Sequence, residues 1–171
     1  PMYITEVGKP MGLFYGFIFD GIYQTSDFRN LTEGIYVLNP GVADNGSSDV
    51  SPGVIKYKDI NGDGTINDYD RVILGSPHPK HTGGFTNDFS YSTRRIGTFT
   101  LNVLLQWSYG NKVFNANRLI FEGNGTAQVG INQYKCYEER WTPDHPSNTL
   151  FKTKGAGPQG FISDRTLEDG S

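Results

Sequence analysis

The sequence predicts an all-β chain of antiparallel strands separated by long polar loops. Three observations carry that expectation. The 171 residues include 22 Gly, 9 Pro, 10 Tyr and 11 Phe, whereas Leu and Ala, the mainstays of helical proteins, are scarce. Clusters of Gly, Pro and Asn interrupt the chain before any long helix could propagate. The third observation is a period-two run from Thr98 to Tyr109. The length suits one domain, or at most two small ones.

Bulk properties exclude several function classes. Fifteen basic against 18 acidic residues give a net charge of −3, which argues against a nucleic-acid-binding stripe. No run of 18 apolar residues exists, so no transmembrane helix is expected. A membrane-spanning strand hides its apolar face in alternation, so that route stays open. A single cysteine, Cys136, excludes an internal disulfide framework. The chain starts at Pro1 without an initiator Met or signal peptide and stops at Asp169-Gly170-Ser171 without a closing strand. Those ends read as a piece of something larger.

Taken in order, residues 12–24 (GLFYGFIFDGIYQ) read as one strand, with imperfect alternation because Phe14 and Ile18 fall on the polar face. Residues 25–83 read as a long loop. Asn39-Pro40-Gly41 and Asn45-Gly46-Ser47-Ser48 supply its turn chemistry, with a short extended piece at Val54 to Lys58. Gly75-Ser76-Pro77-His78-Pro79 would stop any helix begun at Tyr69. Residues 84–110 form the best-defined β-hairpin, turning at Thr93 to Gly97. Residues 111–171 lose periodicity and read as a second long loop, with a short helix expected around Gln133 to Glu139.

The hairpin's second strand is informative. Phe99, Leu101, Val103, Leu105, Trp107 and Tyr109 share one face, and Thr98, Thr100, Asn102, Gln106 and Ser108 share the other with Leu104. Ten steps from Phe99 to Tyr109 span about 33 Å, or about 25 Å when tilted by about 40°. That is the height of the apolar band on an outer-membrane barrel, and aromatics flank the aliphatic middle as in a lipid-facing strand. A long strand of a soluble sandwich is the competing reading.

Asp59 to Asp70 (DINGDGTINDYD) fits a twelve-residue calcium loop. Oxygen donors fall at positions 1, 3 and 5 as Asp59, Asn61 and Asp63, with Gly64 at the sharp turn and the Thr65 carbonyl at position 7. Asn67 stands at position 9 and Asp70 at position 12, one methylene shorter than the usual Glu. Calcium wants six to eight hard oxygens, and this spacing wraps them around one point. A metal-free Asx/Gly turn would use the same residues. Every position is filled by protein, so the expected Ca²⁺ role is structural. A dockerin would carry a second loop and following helices, which this chain lacks.

Other constellations are weaker. Glu138, Glu139, Asp144 and His145 could be arranged as an acid-base set, but loops commonly hold such groups. His78 and His81 lack an acidic or Cys partner in reach of the sequence, and Gly83-Gly84 lacks a phosphate-loop context. Arg94-Arg95 reads as a solvated turn pair. Sequons at Asn30, Asn45 and Asn124 matter only in a eukaryotic secretory route. Cys136 has Lys135 beside it but no readable His, so no thiol enzyme is expected.

The ordered set GFIFDGIY (16–23), Pro52-Gly53, IKYKDINGD (55–63), Gly64 to Arg71, Ile73 to Pro79 and GGFTNDF (83–89) resembles one family. With Leu105-Gln106, Tyr109-Gly110-Asn111 and Ser163 to Ser171, the set resembles the SusC/RagA group of TonB-linked outer-membrane proteins of Bacteroidota. The resemblance implies a transmembrane β-barrel importer of glycans or oligopeptides, in the outer membrane of a Gram-negative cell. It implies a SusD-like lipoprotein lid, energy from TonB through an N-terminal part outside this chain, and no enzymatic activity. Such barrels have about 22 strands, so this chain would be an incomplete, later segment of one. On that view 12–24 is a wall strand, 25–83 an external loop carrying the calcium-type loop, 84–110 a wall hairpin and 111–171 a second external loop. The lipid of the outer membrane would meet the Phe99 to Tyr109 face. The rival is a secreted calcium-stabilised β-module for binding or adhesion in a carbohydrate-active protein. A hydrolase built on Glu138 or Asp144 is a third and poorer reading.

Overall fold

The computed structural model describes residues 2–32, 35–46, 50–121, 134–152 and 163–170. The chain is mostly β, its ladders all antiparallel, with one helix of six residues, α1 (Ala116–Phe121), among the described residues.

The run 12–24 is two strands rather than one: β2 (Leu13–Gly16) and β3 (Phe19–Ile22). β2 lies between β1 (Tyr3–Ile4) and β7 (Val72–Gly75), whereas β3 pairs with β6 (Ile55–Tyr57). The break falls at Phe17, where a lone parallel bridge to Ser163 replaces a ladder. Burial explains it. Phe14 packs with Leu74, Phe114 and Leu167, while Phe17 enters a separate, larger core, so one straight strand could not serve both. The imperfect alternation at Phe14 and Ile18 was the trace of that kink.

The larger core gathers Phe17, Ile22, Tyr23, Phe28, Val54, Ile55, Tyr57, Ile66, Trp141 and Phe151. β4 (Phe28–Thr32) and β5 (Ile35–Leu38) form a small hairpin beside it. The segment 141–152 straps the other side. Trp141 Nε1 donates to Gln24 Oε1 at 3.0 Å, and Ile22 N donates to Asn148 Oδ1 at 3.0 Å. The region beyond residue 110 is therefore not patternless. β10 (Lys112–Phe114) pairs with β11 (Leu167–Asp169), and a 3-10 turn covers Lys135–Glu139, where a short helix was expected from Gln133. Gln133 itself lies outside the described residues. Before β7 only a 3-10 turn forms, at Asp68–Asp70.

Away from that core runs the longest element, a two-stranded ribbon of β8 (His81–Thr93) and β9 (Gly97–Tyr109), thirteen residues each. Its register runs unbroken from His81↔Tyr109 to Thr93↔Gly97. Residues directly opposite in an antiparallel pair share a face. One face therefore carries Tyr91 with Phe99, Phe89 with Leu101, Phe85 with Leu105, Trp107 beside Gly83 and Tyr109 beside His81. The other carries Ser92 with Thr98, Ser90 with Thr100, Asp88 with Asn102 and Thr82 with Ser108. Asn87 on the apolar face and Leu104 on the polar one are the departures.

Candidate functional site

Two features carry chemistry: the loop Asp59 to Asp70 and the apolar face of the ribbon. In the loop, the side chains of Asp59, Asn61, Asp63, Asn67 and Asp70 turn back onto the loop's own backbone, while Asp68 pairs with Arg71 at 3.1 Å. Asp59 accepts from Gly62 N at 2.7 Å and Gly64 N at 2.8 Å. Asn61 Oδ1 accepts from Asp63 N at 2.9 Å, and Asp63 Oδ1 from Thr65 N at 2.8 Å. Asn61 and Asn67 both donate their amide N–H to Asp63 Oδ2, at 2.8 and 3.1 Å. The Thr65 carbonyl accepts from Asn67 Nδ2 at 3.1 Å. These bonds favour the ionised form of Asp63. The Thr65 amide contributes most and the Asn61 amide next, holding the carboxyl below its ordinary value although it is fully exposed.

Asp70 sits apart from that exposed rim. It is fully buried, and its two oxygens accept from Ile60 N at 2.9 Å, Asn61 N at 3.4 Å and Asn67 N at 2.8 Å. It thus ties the beginning of the loop to its end. The donor chemistry of Asp59, Asn61, Asp63, Thr65 and Asn67 is all hard oxygen, which suits Ca²⁺ better than a softer ion. No three Asp, Glu, His or Cys side chains converge among the described residues, so a cation here would lean on carboxamides and carbonyls as well as carboxylates.

Asp44 is the partner that sequence reasoning missed. Its N–H donates to Gly64 O at 3.0 Å and its carbonyl accepts from Ile66 N at 2.7 Å, pinning the loop to the chain before β6. Nothing in the spacing marks it, because a two-bond bridge leaves no periodicity. Its charge also reaches inward. Burial first, and then Asp44, pushes the Tyr23 hydroxyl up from its ordinary value. Tyr23 stays neutral and donates to Ala43 O. Asp44 and Asp59 both line an open cleft of about 690 Å³, together with Tyr36, Leu38, Asn39 and Val42.

The remaining constellations do not assemble. His78 meets Met11 O at 3.2 Å, while His81 stacks on Tyr109 and faces Trp107 Nε1 at 3.3 Å. His145 is bridged to Thr142 in a turn. Glu138 and Glu139 belong to the 3-10 turn, Cys136 is half-buried there, and Arg94-Arg95 is an exposed turn. Asn124 lies outside the described residues.

The ribbon's apolar face is uncovered. Phe85, Phe89, Phe99, Leu101 and Leu105 each keep half or more of their surface exposed. That amount of contiguous apolar surface marks a face that meets something other than water. The opposite face is stitched by polar pairs, with Asn102 Nδ2 donating to Asp88 Oδ1 and Ser92 Oγ 2.9 Å from Thr98 Oγ1.

No protein-family model matches the chain. It is similar to TonB-dependent receptor P3 of Formosa agariphila, at 31% identity over 168 residues, 98% of this chain and 14% of that receptor. It is also similar to TonB-dependent receptor P26 of the same organism, at 32% over 120 residues, 70% of this chain and 11% of the receptor. The chain thus spans about a seventh of the first relative or less. The likeness is a distant homology to TonB-dependent receptors over most of the chain, and those homologues are outer-membrane proteins of Gram-negative bacteria. The homology points to the outer membrane as the chain's location.

Proposed function

We propose that the chain is a wall segment, with its attached outer loops, of a TonB-dependent importer of the SusC/RagA kind. Such a segment serves transport rather than catalysis. The observation that carries this is the ribbon, whose thirteen register pairs separate an uncovered apolar face from a hydrogen-bonded polar one. A lipid-facing wall needs that division, with the second face turned to a watery lumen. A secreted β-module would need to bury the same face within itself. Homology to TonB-dependent receptors supports the reading from a separate direction.

On this reading the parent protein takes up glycans or oligopeptides, with energy from TonB and a SusD-like lipoprotein closing its outer mouth. A calcium ion bound by Asp59, Asn61, Asp63, the Thr65 carbonyl and Asn67, with Asp70 closing the loop, stabilises the outer surface. The test is fractionation of cells expressing the full-length parent. The protein belongs in the outer membrane, migrates faster before boiling than after, and its loss stops uptake of one polymeric nutrient. Recovery in the culture fluid without detergent would instead establish the secreted module. For the ion, chelation should speed amide exchange at Gly62, Gly64 and Thr65, and added calcium should reverse it. Exchange indifferent to calcium would remove the ion from the account.

A further inference from the structure

Among the described residues β5 pairs only with β4, which leaves its other edge without a strand. Successive residues of a strand send their side chains to opposite faces, so a cavity on one face meets every second residue. The cleft of about 690 Å³ is instead lined by Tyr36, Val37, Leu38 and Asn39 in succession. It therefore runs along the edge of β5, where alternate backbone N–H and C=O groups point away from β4. Edges meant for water are commonly blunted by lysine or proline. β5 reads IYVL, with no charge and no proline, so its edge stays open to another strand.

The same cleft has a sign. Asp44 and Asp59 line it, and no Lys, Arg or His does. Neither carboxylate enters a salt bridge among the described residues. Asp44 Oδ1 accepts from Gly46 N at 2.9 Å, and its second oxygen accepts from none of the described residues. Val42 and Val50, both packed on the larger core, add apolar surface to the lining. An ammonium or guanidinium head on an aliphatic stem matches both features, the stem against the valines and the head toward the carboxylates. The cleft's volume falls within the range of ligand sites.

We propose that this cleft docks an extended segment of a partner polypeptide, which adds to the edge of β5 and presents a lysine or arginine to Asp44 and Asp59. Main-chain hydrogen bonds to β5 supply the affinity, and the basic side chain supplies the specificity. Charge complementarity selects the occupant, because an acidic or purely apolar segment would desolvate Asp44 without pairing it. A calcium ion in the loop would offset the charge of Asp59 but not that of Asp44, which lies outside the ion's donors. The proposal is independent of whether the ribbon meets lipid, and its failure would leave the wall reading untouched.

Binding of labelled short Thr/Val peptides with a central Lys, Gln or Glu to the purified full-length parent tests it. The Lys peptide should bind several-fold tighter than the Gln peptide and the Glu peptide weakest, with calcium or with chelator. Asp44→Asn should remove most of the Lys-over-Gln preference, whereas Glu6→Gln, a charge change outside the cleft, should leave it. The backbone part is read on the wild-type protein with Lys peptides N-methylated at alternate residues. Only one of the two alternations blocks the N–H groups that face β5, so one should abolish binding and the other spare it. Equal weakening by both would show that side chains alone hold the peptide and would overturn strand addition. Absence of Lys-peptide binding, or equal binding of the Lys and Glu peptides, would overturn the proposal outright. Self-association of the parent in competition with the peptide would give the edge to a second copy and overturn it as well.

Discussion

Asp70 is the residue on which the polar loop turns. Its carboxylate is fully buried and receives backbone N–H groups from both ends of the segment Ile60 to Asn67. Bonds to a charged acceptor are worth about 1.5–3 kcal/mol each, and an orphaned buried donor costs a similar amount. Asp70→Ala should therefore release the loop, raising amide exchange at Ile60 and Asn67 by about 30-fold or more, the equivalent of about 2 kcal/mol. Unchanged exchange would mean that the amides are held by other contacts. Asp63 behaves differently because it is exposed. Its folded pKa is depressed by the Thr65 and Asn61 N–H donors. The stabilisation is then complete above the unfolded value and disappears as pH falls through the folded one. The Thr65 amide resonance should titrate with a midpoint below that of a free aspartate, and Asp63→Asn should abolish the transition. The spacing of Asp59, Asn61 and Asp63 was legible because each side chain reaches only two to five residues ahead. Asp70 was legible as the loop's last position, but not as the acceptor of amides nine and ten residues back. Asp44 was not legible at all, since its role lies in backbone bonds that any residue could make.

Among elements, β9 was readable because each side chain belongs to one of two faces along its whole length, so period two survives for thirteen residues. The run 12–24 was not, because Phe14 and Phe17 are drawn into different cores and the alternation is broken by the kink. β10 and β11 were equally hidden. Three residues each, more than fifty apart in sequence, carry no local period to detect. The ribbon also shows how a glycine can serve a face. The Trp107 ring lies over Gly83, where a Cβ would come within 2.2 Å of it, and the indole fills the space left by the absent side chain. The two-face division makes a sharp prediction. Leu105→Arg places a charge on the apolar face near the middle of the ribbon, which costs about 2–4 kcal/mol at a bilayer midplane. Gln106→Arg, its neighbour on the polar face, should cost little. The amount of heat-modifiable parent protein in the outer membrane should fall for the first variant and hold for the second. Equal loss for both would show that the faces do not meet different solvents.

At the scale of the whole molecule, the buried residues and the exposed ribbon follow opposite rules. The cores lie among β1 to β7, β10, β11 and the strap 141–152, where apolar side chains meet one another. The ribbon adds none of its residues to those cores and leaves its aromatic and aliphatic side chains uncovered. Both connections to the core region, through Gly75 to Lys80 and through Gly110 and Asn111, join the ribbon at the His81 and Tyr109 end. The turn Arg94 to Ile96 is therefore at the far end, about 41 Å away along thirteen residues at about 3.4 Å per step. If the ribbon crosses a bilayer, the two ends lie in different compartments, and the folded loops outside shield nothing at the turn. Trypsin added to intact cells should then cut only the core region and spare Arg94 and Arg95, both of which are exposed in the fold itself. Permeabilising the outer membrane should open that site without any change in structure, giving a new fragment boundary between residues 94 and 96. Cutting at Arg94 or Arg95 in intact cells would put both ends of the ribbon on the same side, and the apolar face would then have to be covered by protein rather than lipid.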